Sequence, residues 1–112
     1  MLKVTFKEEE GKLTLELEGH AGQAEIGQDI VCASASILAY TVAQFVKDAF
    51  ARGDLKSPPE IKLESGDAFI SCEPTDDILF GMQDCYLFAE LGYHILAYNY
   101  PQYVELKPFG TE

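Results

Sequence analysis

The hydrophobic period of this sequence changes from that of a strand to that of a helix, and it does so twice. Apolar residues alternate with polar ones in four short runs: Leu2, Val4 and Phe6; Leu13, Leu15 and Leu17; Ile61 and Leu63; Ala68, Ile70 and Cys72. Such alternation is typical of half-buried strands. The turn residues at 9–11 and at Ser65-Gly66 join the runs in pairs, which predicts two β-hairpins.

Each hairpin is followed by a predicted helix. The first helix is expected from about residue 30 to 51, with Asp29 as its N-cap, and the second from about 76 to 99, with Thr75 as its cap. A last strand is predicted at 103–107. The order ββαββα with a terminal strand predicts an α+β fold, in which two helices pack as one layer on a largely antiparallel sheet.

The second predicted helix carries more apolar surface than one small sheet covers, and the small residues of the first allow another helix or a partner to come close. The first has an apolar stripe and a second stripe of small residues: Val31, Ala35, Leu38, Val42, Phe45 and Ala49; Cys32, Ser36, Ala39 and Ala43. The second has two apolar stripes on different faces: Ile78, Met82, Cys85, Ala89 and Leu96; Phe80, Leu87, Leu91, Ile95 and Tyr98. A helix that is apolar on two sides must be covered twice, so we expect a homodimer.

Length and charge limit the possible functions. A chain of 112 residues, 47% of them hydrophobic, predicts a single domain over 1–112 with one core. The net charge of −11, with 8 Lys and Arg residues, argues against nucleic acid and anionic membranes as partners. A basic peptide or protein would be favoured electrostatically, although acidity more often reflects solubility alone.

Cysteine usage and the N-terminal segment bear on location. The chain begins on strand-like alternation without a signal peptide, and we expect no apolar run long enough to span a bilayer. The three cysteines are widely spaced and odd in number, which indicates neither a disulfide framework nor a zinc site with paired cysteines. A cytoplasmic location is therefore the expectation, and neither a metal nor a cofactor is expected.

One segment contains residues that could form a nucleophilic catalytic site. His20 follows the second strand, and Cys32 lies near the start of the first helix, beyond a loop that contains Gly22 and Gly27. With Asp29 as N-cap, Cys32 would be the third helical residue, where free N–H groups and the helix dipole stabilise a thiolate and an oxyanion. The alternatives remain open: Cys32 as a small buried residue, and His20 as an exposed loop histidine.

The neighbouring polar residues also have two interpretations. Asp29 is a helix cap, or it additionally orients His20. Ser36 either forms a hydrogen bond in the site or simply permits close packing. His94 lies inside the second helix without a nearby cysteine, while Cys72 and Cys85 fit core positions, so none of these three is a candidate for the reaction.

These motifs resemble the Prp family of bacterial ribosomal-processing cysteine proteases. The resemblance is carried by Gly19-His20-Ala21, by the pattern Gly27-x-Asp29-x-Val31-Cys32-Ala33 followed by Ser36, and by Tyr100-Pro101-x-Tyr103-Val104. It covers nearly the whole chain. It implies that Cys32 is the nucleophile and His20 the catalytic histidine, with Asp29 and Ser36 as supporting residues and residues 21–28 as a mobile substrate loop around Gly22 and Gly27.

The resemblance also implies a reaction and a partner. Prp proteases are dimeric and remove the N-terminal extension of large-subunit ribosomal protein L twenty-seven, so the expected partner is the tail of that protein. Related proteins occur in phages, where another protein would be the substrate. The alternative from a different class is a module that holds a peptide in the same groove without cleaving it. Thiol redox chemistry is disfavoured because no second cysteine lies near Cys32 in the sequence.

Overall fold

The chain folds as the hydrophobic pattern predicts. The computed structural model describes residues 1–20 and 26–111, and only the backbone of residues 26–29. The elements are β1 (Leu2–Glu9), β2 (Lys12–Glu18), α1 (Ile26–Ala51), β3 (Glu60–Glu64), β4 (Asp67–Cys72), α2 (Leu79–Asn99) and β5 (Val104–Lys107). This order confirms the α+β prediction.

The five strands form one open sheet in the order β3-β4-β2-β1-β5. All neighbours are antiparallel except β1 and β5, which run parallel, with Leu2 opposite Val104. The β1–β2 turn is made by Glu10 and Gly11, with φ angles of 51° and 83°. Two positive φ angles characterise a type I′ turn, whose twist matches that of the flanking strands.

The core lies between the two helices and one face of the sheet. The alternating apolar residues of the strands point to that side, where they meet the buried residues of α1 and α2, among them Val31, Val42, Val46, Met82 and Leu96. The other side of the sheet carries the polar residues of the alternation. This two-layer packing leaves the ends of the strands open, and the candidate site forms at one such end.

The predicted start of the first helix is wrong. Helix α1 begins at Ile26, so Asp29 lies inside the helix and is not its N-cap. The local cap signal of Asp29, which is worth only about 1 kcal/mol, does not decide where this helix begins. The second helical segment starts where the sequence predicts: Thr75 is the N-cap of a short 3-10 helix, Asp76–Ile78, which leads into α2 at Leu79, although the Thr75 side chain makes no capping hydrogen bond.

Helix α1 also corrects the expectation about membrane spans. Its segment Ile30–Ala51 is long and apolar enough to cross a membrane by length and composition. Length and composition alone are weak evidence for a membrane span, because the core helices of soluble proteins can be equally long and apolar. Val31, Val42 and Val46 of this segment are fully buried in the core, and a third of its most apolar 18 residues is buried.

The outer faces of both helices remain uncovered in the single chain. Phe45, which belongs to the predicted apolar stripe of α1, is 42% exposed. Ala39, Ala43 and Val46 are buried. The second stripe of α2 is exposed, together with Phe88 beside it and several residues of α1: Phe80, Leu87, Leu91, Ile95 and Tyr98; Ile30, Ile37, Tyr40 and Phe50. The homodimer that would cover this surface stays a prediction.

Candidate active site

The pairing of β2 with β4 brings His20 to the turn between β3 and β4. Glu18 lies opposite Asp67 in the register, so the next residues along, Gly19 and Gly66, are also neighbours. The amide of Gly19 donates to the carbonyl of Gly66 at 2.9 Å. On the other side, the amino group of Met1 donates to the carbonyl of His20 at 2.7 Å. The main chain of His20 is therefore fixed from two strands.

A cleft of about 230 Å³ opens at this end of the sheet, and both His20 and Cys32 line it. Its floor is formed by apolar residues of three strands, Leu17, Leu63 and Ala68, and its wall by Ala35, Ala39 and Tyr40 of α1. Both reactive side chains are exposed. Among the hydrogen bonds of the described residues, none joins the His20 imidazole to the Cys32 thiol.

Cys32 occupies a different helical position from the one expected. Counted from Ile26, it is the seventh residue of α1 and lies in the second turn. The N–H groups that lack a helical acceptor belong to the first four residues, so Cys32 does not lie among them. The expectation that helix-start N–H groups surround its sulfur is therefore wrong. The residue faces the cleft and solvent, which rules out the alternative of a buried core cysteine.

The other two cysteines of the sequence are poor nucleophiles. Cys72 is buried and Cys85 is half-buried. Burial raises the pKa of the Cys72 thiol to about 11, against the lowering effect of a hydrogen bond with Tyr86. Burial, with a smaller contribution from Cys72, raises the pKa of Cys85 to about 11 as well. A thiol must ionise to attack, so the core positions predicted for both residues fit an inert role.

The remaining predicted residues differ in what the structure says of them. Ser36 lies one turn after Cys32 and lines the cleft, which fits either a polar contact or close packing. Gly27 lies in α1 and not in the loop. Gly22 and the side chain of Asp29 lie outside the described residues, so the substrate loop and the orienting role of Asp29 stay predictions. His94 is exposed on α2, away from the cleft.

The β3–β4 turn is a part of the site that the sequence did not reveal. Leu63, Glu64, Ser65, Gly66 and Asp67 all line the cleft. Lys62 reaches across the hairpin to Asp67, with Nζ 2.6 Å from Oδ2, and this hydrogen bond raises the pKa of Lys62. Hairpin patterning predicts the turn itself, but nothing local to it indicates that it lies beside His20.

A second depression lies on the outer face of the sheet and is less suited to catalysis. It measures about 560 Å³ and is lined by alternating charges, including Lys3, Lys7, Glu16 and Glu18. It contains neither a cysteine nor a histidine. Within residues 1–20 and 26–111, no group of three His, Cys, Asp or Glu side chains is placed to hold a metal ion. The cleft with His20 and Cys32 is therefore the candidate active site.

An exposed thiol and an imidazole that line the same small cleft are the two groups that cysteine hydrolases use. The family model for the cysteine protease Prp matches residues 1–105. The chain therefore belongs to the Prp family and is a cysteine protease, as its motifs predict. No curated protein is found to match it.

Solved structures share the fold over almost the whole chain. SMU.848 from Streptococcus mutans is 28% identical, with a TM-score of 0.69, and the match covers 97% of this chain and 94% of that one. An essential ribosomal processing protease, Prp from Staphylococcus aureus, has been solved with a substrate peptide, at 22% identity, a TM-score of 0.67, and coverage of 96% and 99%. The same protease with a covalently linked product peptide is 23% identical, with a TM-score of 0.66.

Proposed function

We propose that this protein is a cysteine endopeptidase that removes the N-terminal extension of large-subunit ribosomal protein L twenty-seven in the cytoplasm, with Cys32 as nucleophile and His20 as general base and acid. The observation that carries the assignment of residues is the contrast among the cysteines. Cys32 is exposed in the cleft that His20 lines, whereas burial raises the pKa of Cys72 and Cys85 to about 11. The substrate rests on the family to which the chain belongs.

The reaction needs only the two side chains and water. His20 accepts the proton of the Cys32 thiol, and the thiolate sulfur attacks the scissile carbonyl carbon. The tetrahedral intermediate collapses when the imidazolium of His20 protonates the departing amine, which breaks the C–N bond and leaves a thioester on Cys32. A water molecule then gives a proton to His20 and attacks the thioester, releasing the new carboxylate and restoring the thiol.

The site must tighten before this reaction can begin. Proton transfer needs the imidazole and the thiol within hydrogen-bond reach, which apo enzymes often achieve only when substrate binds. The apolar floor of the cleft, with Leu17, Leu63 and Ala68, suits an apolar or aromatic substrate side chain. Seating that side chain would exclude water from the neighbourhood of Cys32 and His20.

The decisive experiment is incubation with a synthetic peptide of the host's ribosomal protein N-terminus, followed by mass spectrometry of the products. The wild type should yield two fragments, and Cys32→Ser and Cys32→Ala should yield none while keeping the wild-type melting temperature, because Cys32 is exposed. Cys85→Ala is the matched control and should retain cleavage. Full activity of Cys32→Ala would overturn the assignment of the nucleophile.

The same assay tests the substrate separately from the chemistry. A phage-type protease of this family would leave the ribosomal peptide intact. Its Cys32 would still be acylated by a generic peptidyl electrophile. A module that only holds peptides would bind the ribosomal peptide with neither cleavage nor acylation. Cleavage at one position, lost with Cys32, is the result that supports the proposal.

We also propose that the protein works as a homodimer joined by the outer faces of its helices. Phe88 and Leu91 of α2 are 77% and 60% exposed, and Ile37 and Tyr40 of α1 are exposed beside the cleft wall. Large apolar side chains exposed together on a protein surface mark interaction sites when they form one patch. Because Tyr40 lines the cleft as well, a dimer formed through this surface would lie next to both active sites.

A further inference from the structure

The imidazole of His20 rests on the α-carbon of Gly66, at a place where any other residue would carry its side chain. A Cβ atom built on Gly66 would lie 2.6 Å from Cε1 of His20 and closer still to Nε2. Real Cβ atoms essentially never come within 3.0 Å of another heavy atom in this way. The ring therefore fills the space that the missing side chain leaves.

One further contact holds the turn against the segment that carries His20, and a second braces the β3–β4 hairpin itself. The amide of Gly19 donates to the carbonyl of Gly66 at 2.9 Å, so the two backbones cannot separate without losing this bond. The ion pair between Lys62 and Asp67, at 2.6 Å, spans the same hairpin. Gly66 thus lies at a fixed distance from the backbone of His20, and the ring is seated between the turn and the cleft.

We propose that Gly66 is a positioning residue for His20, and that its lack of a side chain holds the imidazole in the cleft that contains Cys32. The inference rests on the catalytic role proposed above for His20. Gly66 touches neither the substrate nor the thiol in this account. It acts by leaving room for the ring, so that one ring nitrogen is available for proton transfer with Cys32.

Replacing Gly66 has two separable consequences. Its φ angle is +73°, a conformation that L-residues adopt only with strain, and this strain would lower the melting temperature. The added Cβ would also collide with the imidazole. Because His20 is exposed and the colliding atoms are at the end of a flexible side chain, the ring can swing away at little further cost to the fold. The collision therefore acts on the position of His20.

Gly11 provides a matched control. It lies in the other hairpin turn, at the opposite end of β2, with a φ angle of +83° and nothing within 4 Å of a Cβ atom built on it. Gly11→Ala therefore imposes the same kind of backbone strain without a collision. Both variants should lose a similar amount of thermal stability, roughly 5 °C, and only Gly66→Ala should affect His20.

The first measurement follows the imidazoles by ¹H–¹³C NMR. The sequence contains two histidines, His20 and His94, and His94→Gln assigns their signals. In Gly66→Ala the chemical shifts of the His20 ring should change while those of His94 stay constant, and in Gly11→Ala neither set should change. An unchanged His20 signal in Gly66→Ala would overturn the proposal. This readout needs no substrate, so it still decides the matter if the wild type cleaves no ribosomal peptide.

The second measurement is the kinetics of cleavage by the wild type and both variants. Displacing the general base lowers kcat in Gly66→Ala by about 10-fold or more with KM nearly unchanged, whereas Gly11→Ala keeps the wild-type kcat. Equal kcat values for the two variants would contradict the role of Gly66. Should Gly66→Ala not fold, Gly66→Asn and its control Gly11→Asn repeat the comparison, because asparagine tolerates positive φ but still carries a Cβ.

Discussion

Two tyrosine hydroxyls lie inside the core, and each donates a hydrogen bond to a main-chain carbonyl. Tyr86 donates to Ile70 at 3.1 Å and Tyr93 to Ala35 at 2.8 Å. Burial raises the pKa of both phenols, so both remain protonated donors at any ordinary pH. Ala35 lies in the turn of α1 that follows Cys32, which means that Tyr93 ties the segment carrying Cys32 to helix α2.

Tyr93→Phe tests the contribution of this buried bond. Removing the hydroxyl eliminates a buried hydrogen bond and leaves a small void, which we expect to lower the free energy of unfolding by about 1 kcal/mol. Urea denaturation measures the change. Tyr98→Phe is the matched control, because Tyr98 is 86% exposed on the same helix, and its stability should stay at the wild-type value. An equal loss of unfolding free energy in both variants would mean that the hydrogen bond from Tyr93 to Ala35 does not stabilise the protein.

At the scale of residues, the sequence identifies the candidate reactive residues better than the residues that hold them in place. His20 and Cys32 were identified from residue type and spacing, and the structure brings both into one cleft. Gly66 and Tyr93 were not identified, because their partners His20 and Ala35 lie far away along the chain. The turn alone is reason enough for a glycine at position 66. Nothing in the sequence therefore indicates that the ring of His20 also packs against it.

At the scale of elements, helix α2 packs directly against Leu38 of α1 at Gly92. A Cβ atom built there would lie 2.8 Å and 2.9 Å from the two terminal methyl carbons of Leu38. The apolar patterning of α1 assigned Leu38 to the core, and the structure leaves it half-buried against α2. A residue without a side chain at this crossing is what allows the two helices to form one layer.

Gly92→Ala and Gly81→Ala separate helix propensity from packing. Both glycines lie in α2, and alanine favours a helix interior over glycine by about 0.5–1 kcal/mol. A Cβ on Gly81 meets nothing within 4 Å, so Gly81→Ala should gain that amount in free energy of unfolding. Gly92→Ala should gain less or lose stability, because overpacking costs about 1–3 kcal/mol. Equal gains in the free energy of unfolding, measured by urea denaturation, would mean that Leu38 leaves room for a methyl group at position 92.

The elements themselves were largely predictable, and their boundaries were less so. Alternation and two-residue turns are local properties, which explains why both hairpins appear as expected. The start of α1 was placed too late, because Asp29 is a favourable cap and Gly27 a poor helix former. Both preferences amount to about 1 kcal/mol. Preferences of that size are easily outweighed by packing elsewhere in the molecule.

At the scale of the whole molecule, the exposed faces of α1 and α2 are the surface through which we propose that two copies associate. Leu91→Lys places a charge in the middle of the proposed dimer surface, and we expect it to shift the protein from dimer to monomer, halving the mass from twice 12.4 kDa. Sedimentation equilibrium measures this mass. Glu105→Gln changes the net charge by the same amount on the exposed part of β5 and should remain dimeric. A wild type that stays monomeric at every concentration would refute the dimer.

The two-layer architecture was predictable, but the order of strands in the sheet was not. The alternation of Leu13, Leu15 and Leu17 shows which face of β2 is buried, and it does not specify which strand lies alongside. The pairing of β2 with β4 joins the two hairpins, and it is this pairing that places Gly66 next to His20. The site thus depends on a contact that no local pattern encodes.

The parallel pairing of β1 with β5 has a consequence for how the newly made chain folds. Leu2 pairs with Val104, so the first strand to be synthesised waits for one of the last. Pairing between such distant segments carries the largest loop-closure entropy, whereas the hairpins and helices that build the cleft assemble from nearer segments. During folding β1 therefore keeps an open edge until β5 pairs with it.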